Sequence, residues 1–472
     1  MKILKNYLYN MSYQILLLIV PLISMPYVSR VLGPNGLGEY SYTNSIMSYF
    51  ILFGTLGFTL YGSKEIAYIQ ASKYKRSQVF WEVTFLKIIT TLLAFISLIV
   101  FLYFFKQYKI LIIAQSVLLI SVAFDVSWYF MGIEDFKKTV IRNIIVKILS
   151  LILILMFVKT KYDLLTYILI LGGSTLLGNV TLIPFLIKQI SKPIIKEFQL
   201  KRHVVPVILL FLPQLATQIY LVVNKTMLGQ MESISSVGFF SSSDTLVRIT
   251  LTIVSALSGV LMPRIANLIA RGEALKVKEY MEKSFEFINS LSLPMMFGLA
   301  AIAHKFVPLF LGEDFQIVSK LIIIESPVIL LISWSIAITN QFLIPSNMNK
   351  EYITSTIIGA IFNVGANVFL IPVFGVYGAI IATLLSEILV VTYLLYSVSK
   401  YLDIKKMLFS NSQKYILASL VMFLIVIELD SLLSDTLLSI AIEVLISAVI
   451  YIGLLIIFRA NLVMDIKHFF DE

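Results

Sequence analysis

Charged side chains are scarce in this sequence, and several interrupt long apolar runs. Near a bilayer centre each costs about 2.5–3.5 kcal/mol unless it has a task. Arg248 is the deepest base, about 18 Å into its run at ~1.5 Å per residue. Its planar fork suits phosphate oxygens, and Asp244, four residues earlier on the same helix face, is the alternative partner. Both pairings stand, and the two can alternate in time. Lys87 and Lys147 lie about 12 Å inside their runs, where they either meet an anion or snorkel back to the surface. Arg30 and Lys225 close two matching runs, as an exit gate or as cations bonding helix C-terminal carbonyls. Among the acids, Glu387 sits about 17 Å into a run, a position for proton or cation exchange or for an interhelical hydrogen bond. Asp125 is expected to pair with Arg142 or to close an inner gate. Glu286, Glu325 and Glu443 stand nearer the ends of their runs and are expected to be solvated.

Other chemistries are poorly served. There is no cysteine, hence no thiol nucleophile, disulfide or Cys-based metal site. The three histidines, His203, His304 and His468, are scattered without metal-ligand spacing. No catalytic constellation, cofactor motif or metal site is expected, and no loop exceeds about 25 residues, leaving no room for a soluble catalytic domain.

The elements that must position these groups are transmembrane helices. The chain has 472 residues, 59% hydrophobic and 14% charged, with a mean hydropathy of +0.93. Soluble domains carry roughly 25% charged residues. Apolar runs of about 20 residues recur about 14 times, each able to cross ~30 Å of hydrocarbon. They run continuously rather than alternating, which excludes a β-barrel. The fold class expected is an all-α integral membrane protein. Its net charge of +10 comes from bases in short loops, which fits membrane topology and anionic lipid rather than nucleic acid. With the N-terminus in the cytoplasm most Lys and Arg fall on the inner side, so both termini are expected there. The N-terminal segment shows no cleavage site of the signal-peptide kind.

One stretch organises the rest. Ser29–Tyr42 (SRVLGPNGLGEYSY) reads as a tight turn, with Gly33, Pro34, Asn35, Gly36 and Gly38 supplying its backbone needs. Asn224–Ser242 repeats the idea: Lys225 precedes Gly229, and Gly238-Phe239 opens the next run. Each preceding run carries two prolines, Pro21 and Pro26, then Pro206 and Pro213, which free carbonyls and make those helices the hinges. Further echoes join Ile66–Ala71 to Ile265–Ala270 and Thr175–Leu177 to Thr383–Leu385. An even number of runs separates the copies, which predicts parallel lobes about a central cleft. The divisions expected are an N-lobe of six spans at 1–190, a basic linker at 191–203, a C-lobe of six spans at 204–400, and two extra spans plus a cytoplasmic tail at 401–472.

Asp125–Lys138 (DVSWYFMGIEDFKK) closes the fourth run, and Trp128 and Tyr129 are expected to anchor at the membrane–water interface. Gln341–Pro345 is its weaker counterpart in the second half. Together with SRVLGPNGLGEYSY, NKTMLG…SSVGFF and Phe362–Glu387 (FNVGANVFLIPVFGVYGAIIATLLSE), this motif makes the whole chain resemble the Wzx-type polysaccharide flippases. That family shares a superfamily with multidrug (MATE) extruders and lipid II flippases. Asn224 stands where relatives often carry an acid, so no carboxylate role is carried to that position, and Phe239-Phe240 replace a common Gly-Tyr-Tyr. The resemblance implies a non-enzymatic transporter of the bacterial plasma membrane. Its cargo would be an undecaprenyl-diphosphate-linked glycan, for capsule, O-antigen or another surface polysaccharide. A proton or sodium ion is the coupling partner left open, and a polymerase and glycosyltransferases are the protein partners it suggests. The physics of that cargo asks for a wet cationic cleft for the head and a lateral opening for the tail, so Arg248, Arg30, Lys225, Lys87 and Lys147 are the candidate substrate contacts. Glu387, Asp125 and Asp244 are the candidate coupling or gating acids. The rival readings are an organic-cation exporter of the same fold and a membrane-embedded polymerase or glycosyltransferase. The second lacks the extramembrane loop it would need.

Overall fold

Inside a bilayer each backbone N–H and C=O must be satisfied within its own segment, so long apolar runs fold as helices. The computed structural model describes residues 2–409 and 412–461, with the side chains of 2–15, 17, 212–213, 216, 220, 253, 255–261 and 263 left outside that description. Every regular element among the described residues is a helix. In chain order these are α1 (Lys2–Thr55), α2 (Phe58–Tyr68), α3 (Lys73–Phe104), α4 (Lys109–Ala123), α5 (Ser127–Gly132) and α6 (Phe136–Phe157). There follow α7 (Leu164–Val180), α8 (Ile183–Ile187), α9 (Lys201–Met231), α10 (Ile234–Ala270), α11 (Ala274–Leu311), α12 (Gln316–Glu325) and α13 (Pro327–Ala337). A π-helical stretch (Ile338–Leu343) precedes α14 (Asn349–Phe374), α15 (Val376–Val398), α16 (Ile404–Phe409), α17 (Ser412–Leu432) and α18 (Leu437–Ile457).

Among the described residues, ten helical segments are long and apolar enough to cross a membrane, or eleven if the bent pair Glu313–Glu325 and Pro327–Leu343 is one span. The sequence led us to expect about 14. Part of the difference lies at Leu18–Tyr68, a single segment that takes in the second expected span, 40–62, and the end of the first, 9–31. Only Gly33, at φ 66° and ψ −180°, leaves helical geometry inside α1, and Pro34 restarts the helix at once. The turn is therefore one residue rather than the five expected, and Gly36 and Gly38 are helical. The helices α9 and α10, 31 and 37 residues long, include residues outside the description and so are not among those counted.

The chain divides into two compact units, Met1–Gly238 and Phe239–Glu472, so α9 packs with α1 in the first. The core of the first unit is aromatic: Phe58, Tyr61, Phe80, Trp128, Tyr129 and Phe130 are all buried together. Phe80 stacks on Trp128 with ring centroids 5.4 Å apart. Trp128 and Tyr129 are fully enclosed, so they are core residues and not the interfacial anchors expected. An aromatic pair at a helix end suits either place, and here Phe80 of α3 covers it.

In the second unit, Val277, Met281, Phe285 and Ile288 of α11 pack on Ala337, Ile338, Phe342 and Leu343. A separate cluster joins Leu293 and Ala301 of α11 to Tyr415, Ala418, Met422, Tyr451 and Leu455. The last two long helices are thus bound into this unit through α11. Outward, α3 presents Leu92, Leu93, Ile96 and Ile99, each more than half exposed, as a face for lipid.

Candidate functional site

The two repeated turns meet within the first unit. A Cβ on Gly38 would lie 1.9 Å from the Ile234 carbonyl oxygen, and one on Gly238 would lie 2.2 Å from the Pro34 carbonyl oxygen. Backbone therefore rests on backbone, an approach that small residues alone permit. A few turns away, the Tyr49 and Thr226 hydroxyls lie 3.3 Å apart. Arg30 is exposed near the middle of α1, and Lys225 is half-buried in α9. The same two helices carry the proline hinges. Pro21 and Pro26 lie inside α1 without displacing it from helical φ/ψ, Pro206 is half-buried, and the side chain of Pro213 lies outside the described residues.

Lys87, midway along α3, and Asp125, just past the end of α4, come together. Lys87 is buried, and its Nζ donates to the Asp125 backbone carbonyl at 2.8 Å. The Asp125 Oδ1 accepts from the Ser127 N–H at 3.0 Å and so opens α5, while its charge feels both Lys87 and Arg142. Arg142 Nη1 donates to Asn179 Oδ1 at 2.6 Å. Lys147 is half-buried along α6. Lys87 is thus a latch between α3 and the start of α5, and a ligand reaches it only if that contact opens.

Sequence reasoning missed a neighbouring network. Glu82 of α3 is fully buried; its Oε2 accepts from Arg202 Nη2 at 2.7 Å and lies 2.7 Å from His203 Nε2. Its Oε1 accepts from the Gln199 N–H at 2.7 Å, and Tyr61 Oη lies 2.6 Å from His203 Nδ1. These bonds tie the end of the 191–203 segment to α2 and α3. The signal available was a lone Glu in an apolar run and a lone His after a basic loop, 121 residues apart.

In the second unit Arg248 lies about 21 Å from the start of α10 at ~1.5 Å per residue. Its Nε donates to Asp244 Oδ1 at 2.6 Å, while 34% of its side chain stays accessible. The Asp244–Arg248 pair is therefore formed, and the arginine side chain is not fully enclosed. Glu325, expected to be solvated, is fully buried and accepts from Ser243 Oγ at 2.5 Å. Glu443 is likewise fully buried, with its Oε1 2.8 Å from Lys305 Nζ. Lys305 also donates to the carbonyls of Asp430 at 2.8 Å and Leu433 at 3.2 Å. Both acids were misjudged because their partners lie far away in sequence. Glu286, half-buried, accepts from Tyr415 Oη at 2.9 Å, so it too is engaged by protein. Glu387 is buried in α15, and α14 carries a buried pair, Asn367 Nδ2 donating to Asn363 Oδ1 at 3.1 Å. In the π-helical stretch, a geometry frequent at functional sites, buried Gln341 accepts from Ser284 Oγ at 2.7 Å. Among the described residues, which leave out His468, no three His, Asp or Glu side chains gather as a metal site would require.

Apolar membrane-length helices with charges paired inside them define a multi-span helical membrane protein, and its fold is that of known transporters. It superposes on "Lipid II flippase MurJ, inward closed conformation" with a TM-score of 0.78 and 17% identity, covering 98% of this chain and 100% of that one. A multidrug resistance MATE family transporter in its inward-facing conformation matches with a TM-score of 0.65 and 16% identity, over 83% of this chain and 96% of the other. The family described as polysaccharide biosynthesis protein matches residues 3–269, more than half of the chain, and the protein belongs to it. Among named relatives, the Escherichia coli (strain K12) protein called "Putative O-antigen transporter" is 24% identical over 382 residues, 80% of this chain and 92% of its own.

Proposed function

We propose that the protein is a flippase for lipid-linked oligosaccharide. It carries undecaprenyl-diphosphate-linked repeat units from the cytoplasmic to the outer leaflet for surface polysaccharide assembly. Membership of the polysaccharide biosynthesis family and the O-antigen transporter relative support this reading. Flipping makes and breaks no covalent bond, so the protein acts as a transporter rather than an enzyme.

The observation that carries the site is Arg248. An arginine deep in an apolar helix, bonded to the Asp244 carboxylate and with one-third of its side chain still accessible, is poised to exchange Asp244 for a phosphate oxygen. Such an exchange keeps the charge compensated throughout, which a lone arginine could not do. Arg30 and Lys225 then receive the diphosphate at the outer side, and Lys147 meets it at the inner side. Lys87 joins them once its bond to Asp125 opens.

Alternating access follows from two parallel lobes, 1–190 and 204–400, joined by 191–203 and followed by the helices of 401–472. The backbone contact of Gly38 and Gly238 supports a closed outer side in the conformation described here, and the proline-bearing α1 and α9 are the bending elements. Glu387 is the coupling acid, exchanging a proton or sodium ion. A plasma-membrane location with both termini in the cytoplasm agrees with the excess of bases in the inner loops. The polymerase and glycosyltransferases that use and make the lipid-linked glycan are its working partners.

The test is complementation of a bacterium whose own flippase gene is deleted. The wild-type chain restores surface glycan. Arg248→Ala, at unchanged membrane abundance, lowers it at least tenfold, with lipid-linked intermediate accumulating inside. Failure of the wild-type chain overturns the flippase reading, whereas full export by Arg248→Ala overturns the role of that residue alone.

A further inference from the structure

A lined space lies in the first unit, away from every group given a role above except Arg142. Between α6 on one side and α7 and α8 on the other runs a cavity of about 510 Å³, within the ~300–1,000 Å³ span of small-molecule sites. Its ends differ in chemistry. At one end stand Lys137, Lys138 and Arg142, with Asp135 as the one acid of the lining. Phe185 flanks that end, and from there Ile145, Leu149 and Leu177 make the walls, all of them exposed apolar side chains. From Lys137 to Leu149 the groove follows α6 for about 18 Å, close to one leaflet of a hydrocarbon core ~30 Å thick.

The lining of the head end carries more bases than acids. Lys138 Nζ binds Asp135 Oδ2 at 2.7 Å and lies 5.2 and 5.7 Å from the Phe130 and Phe185 ring centroids. Arg142 donates to the neutral Asn179 and shares the charge of Asp125 with Lys87, while Lys137 is exposed. Among the lining residues Lys137, Lys138 and Arg142 thus stand against Asp135, a surplus of two positive charges at the mouth of an apolar trough. Basic pockets between membrane helices on the cytoplasmic side take anionic lipid headgroups.

We propose that this groove is a binding site for an anionic phospholipid of the surrounding leaflet. The headgroup phosphate sits among Lys137, Lys138 and Arg142, and an acyl chain lies along Ile145, Leu149 and Leu177. A zwitterionic lipid offers no net charge to match the surplus, which makes the site selective. The site needs only that α6–α8 lie in a membrane, and it stands apart from the transport reading.

The test uses the full-length protein in nanodiscs. Leu177→Trp puts a fluorophore on the groove wall, where the native side chain is 62% exposed. Signal from the native Trp81, Trp128 and Trp334 is subtracted with the unsubstituted protein. Brominated phosphatidylglycerol should quench the introduced indole at a several-fold lower mole fraction than brominated phosphatidylcholine. Adding Lys137→Gln and Lys138→Gln should weaken the phosphatidylglycerol preference by about fivefold per lysine removed. Lys73→Gln with Lys75→Gln, two exposed bases on α3, should leave it unchanged. Equal quenching by the two lipids overturns the proposal, as does a preference indifferent to Lys137 and Lys138. Displacement of the brominated lipid by a polyprenyl phosphate at lower concentration than by phosphatidylglycerol also overturns it, because the groove would then be a substrate site.

Discussion

The contact between the repeated turns yields the sharpest prediction, because it rests on backbone atoms that cannot rearrange locally. In Gly38→Ala the new Cβ would stand 1.9 Å from the Ile234 carbonyl oxygen and 2.7 Å from its carbon, where real Cβ contacts under 3.0 Å essentially never occur. The turns must part by at least about 1.1 Å, because the two nearest atoms belong to the backbone. Overpacking of this kind costs about 1–3 kcal/mol. If the protein alternates between a state with the turns in contact and one with them apart, that cost falls on the first state alone. The population then shifts about 5–150-fold toward the second.

The absence of native cysteine makes this measurable without background. Ser236, between Ile234 and Gly238, is only 5% exposed. A single Ser236→Cys should react slowly with a membrane-impermeant maleimide, and Gly38→Ala in the same chain should speed labelling by about 5–150-fold, the same window. Gly173→Ala is the control, since nothing lies within 4 Å of its added Cβ. Labelling of Ser236→Cys that is unchanged by Gly38→Ala, in protein that remains monodisperse, would refute both the contact and its two-state meaning.

Two further predictions concern networks. Lys305→Ala leaves Glu443 buried without its cation and should destabilise the protein by about 3–5 kcal/mol, read by thermal unfolding in detergent. Lys305→Met with Glu443→Met should recover most of that loss, and a single variant as stable as wild type would exclude the pairing. Glu82→Ala removes the acceptor for Arg202 and the Gln199 N–H. Trypsin should then cut at Lys196 or Lys201 faster than in wild type, with Glu82→Gln between the two, and equal rates would contradict the tether.

The helical class was legible because apolar runs leave a chain in lipid no other choice. Pairs within one helix were legible too: Asp244 and Arg248 are four residues apart, a spacing that already puts them on one face. What the sequence hid was partnership at long range. Glu325 and Glu443 looked like acids near helix ends, yet Ser243 and Lys305, 82 and 138 residues earlier, enclose them. Trp128 carried the same ambiguity, since an indole at the end of a membrane helix fits a headgroup layer or a neighbour's Phe equally well. The repeat of Gly33–Gly38 in Gly229–Gly238 was visible as a pattern, but nothing in one dimension says that the two copies lean on each other.

Burial divides the intramembrane charges into two kinds. Lys87, Glu82, Lys305, Glu325 and Glu443 are sealed, each against a fixed donor or acceptor, and removing a partner strands a charge in a medium that cannot solvate it. Such groups hold helices to one another. Arg248, Arg30, Lys225 and Lys147 all keep part of their side chains accessible. A group that must grip and release a diphosphate needs that access, together with a partner to return to after release. Arg248 combines access, depth and a returning carboxylate on its own helix, so it is the side chain on which loss of transport without loss of fold is expected.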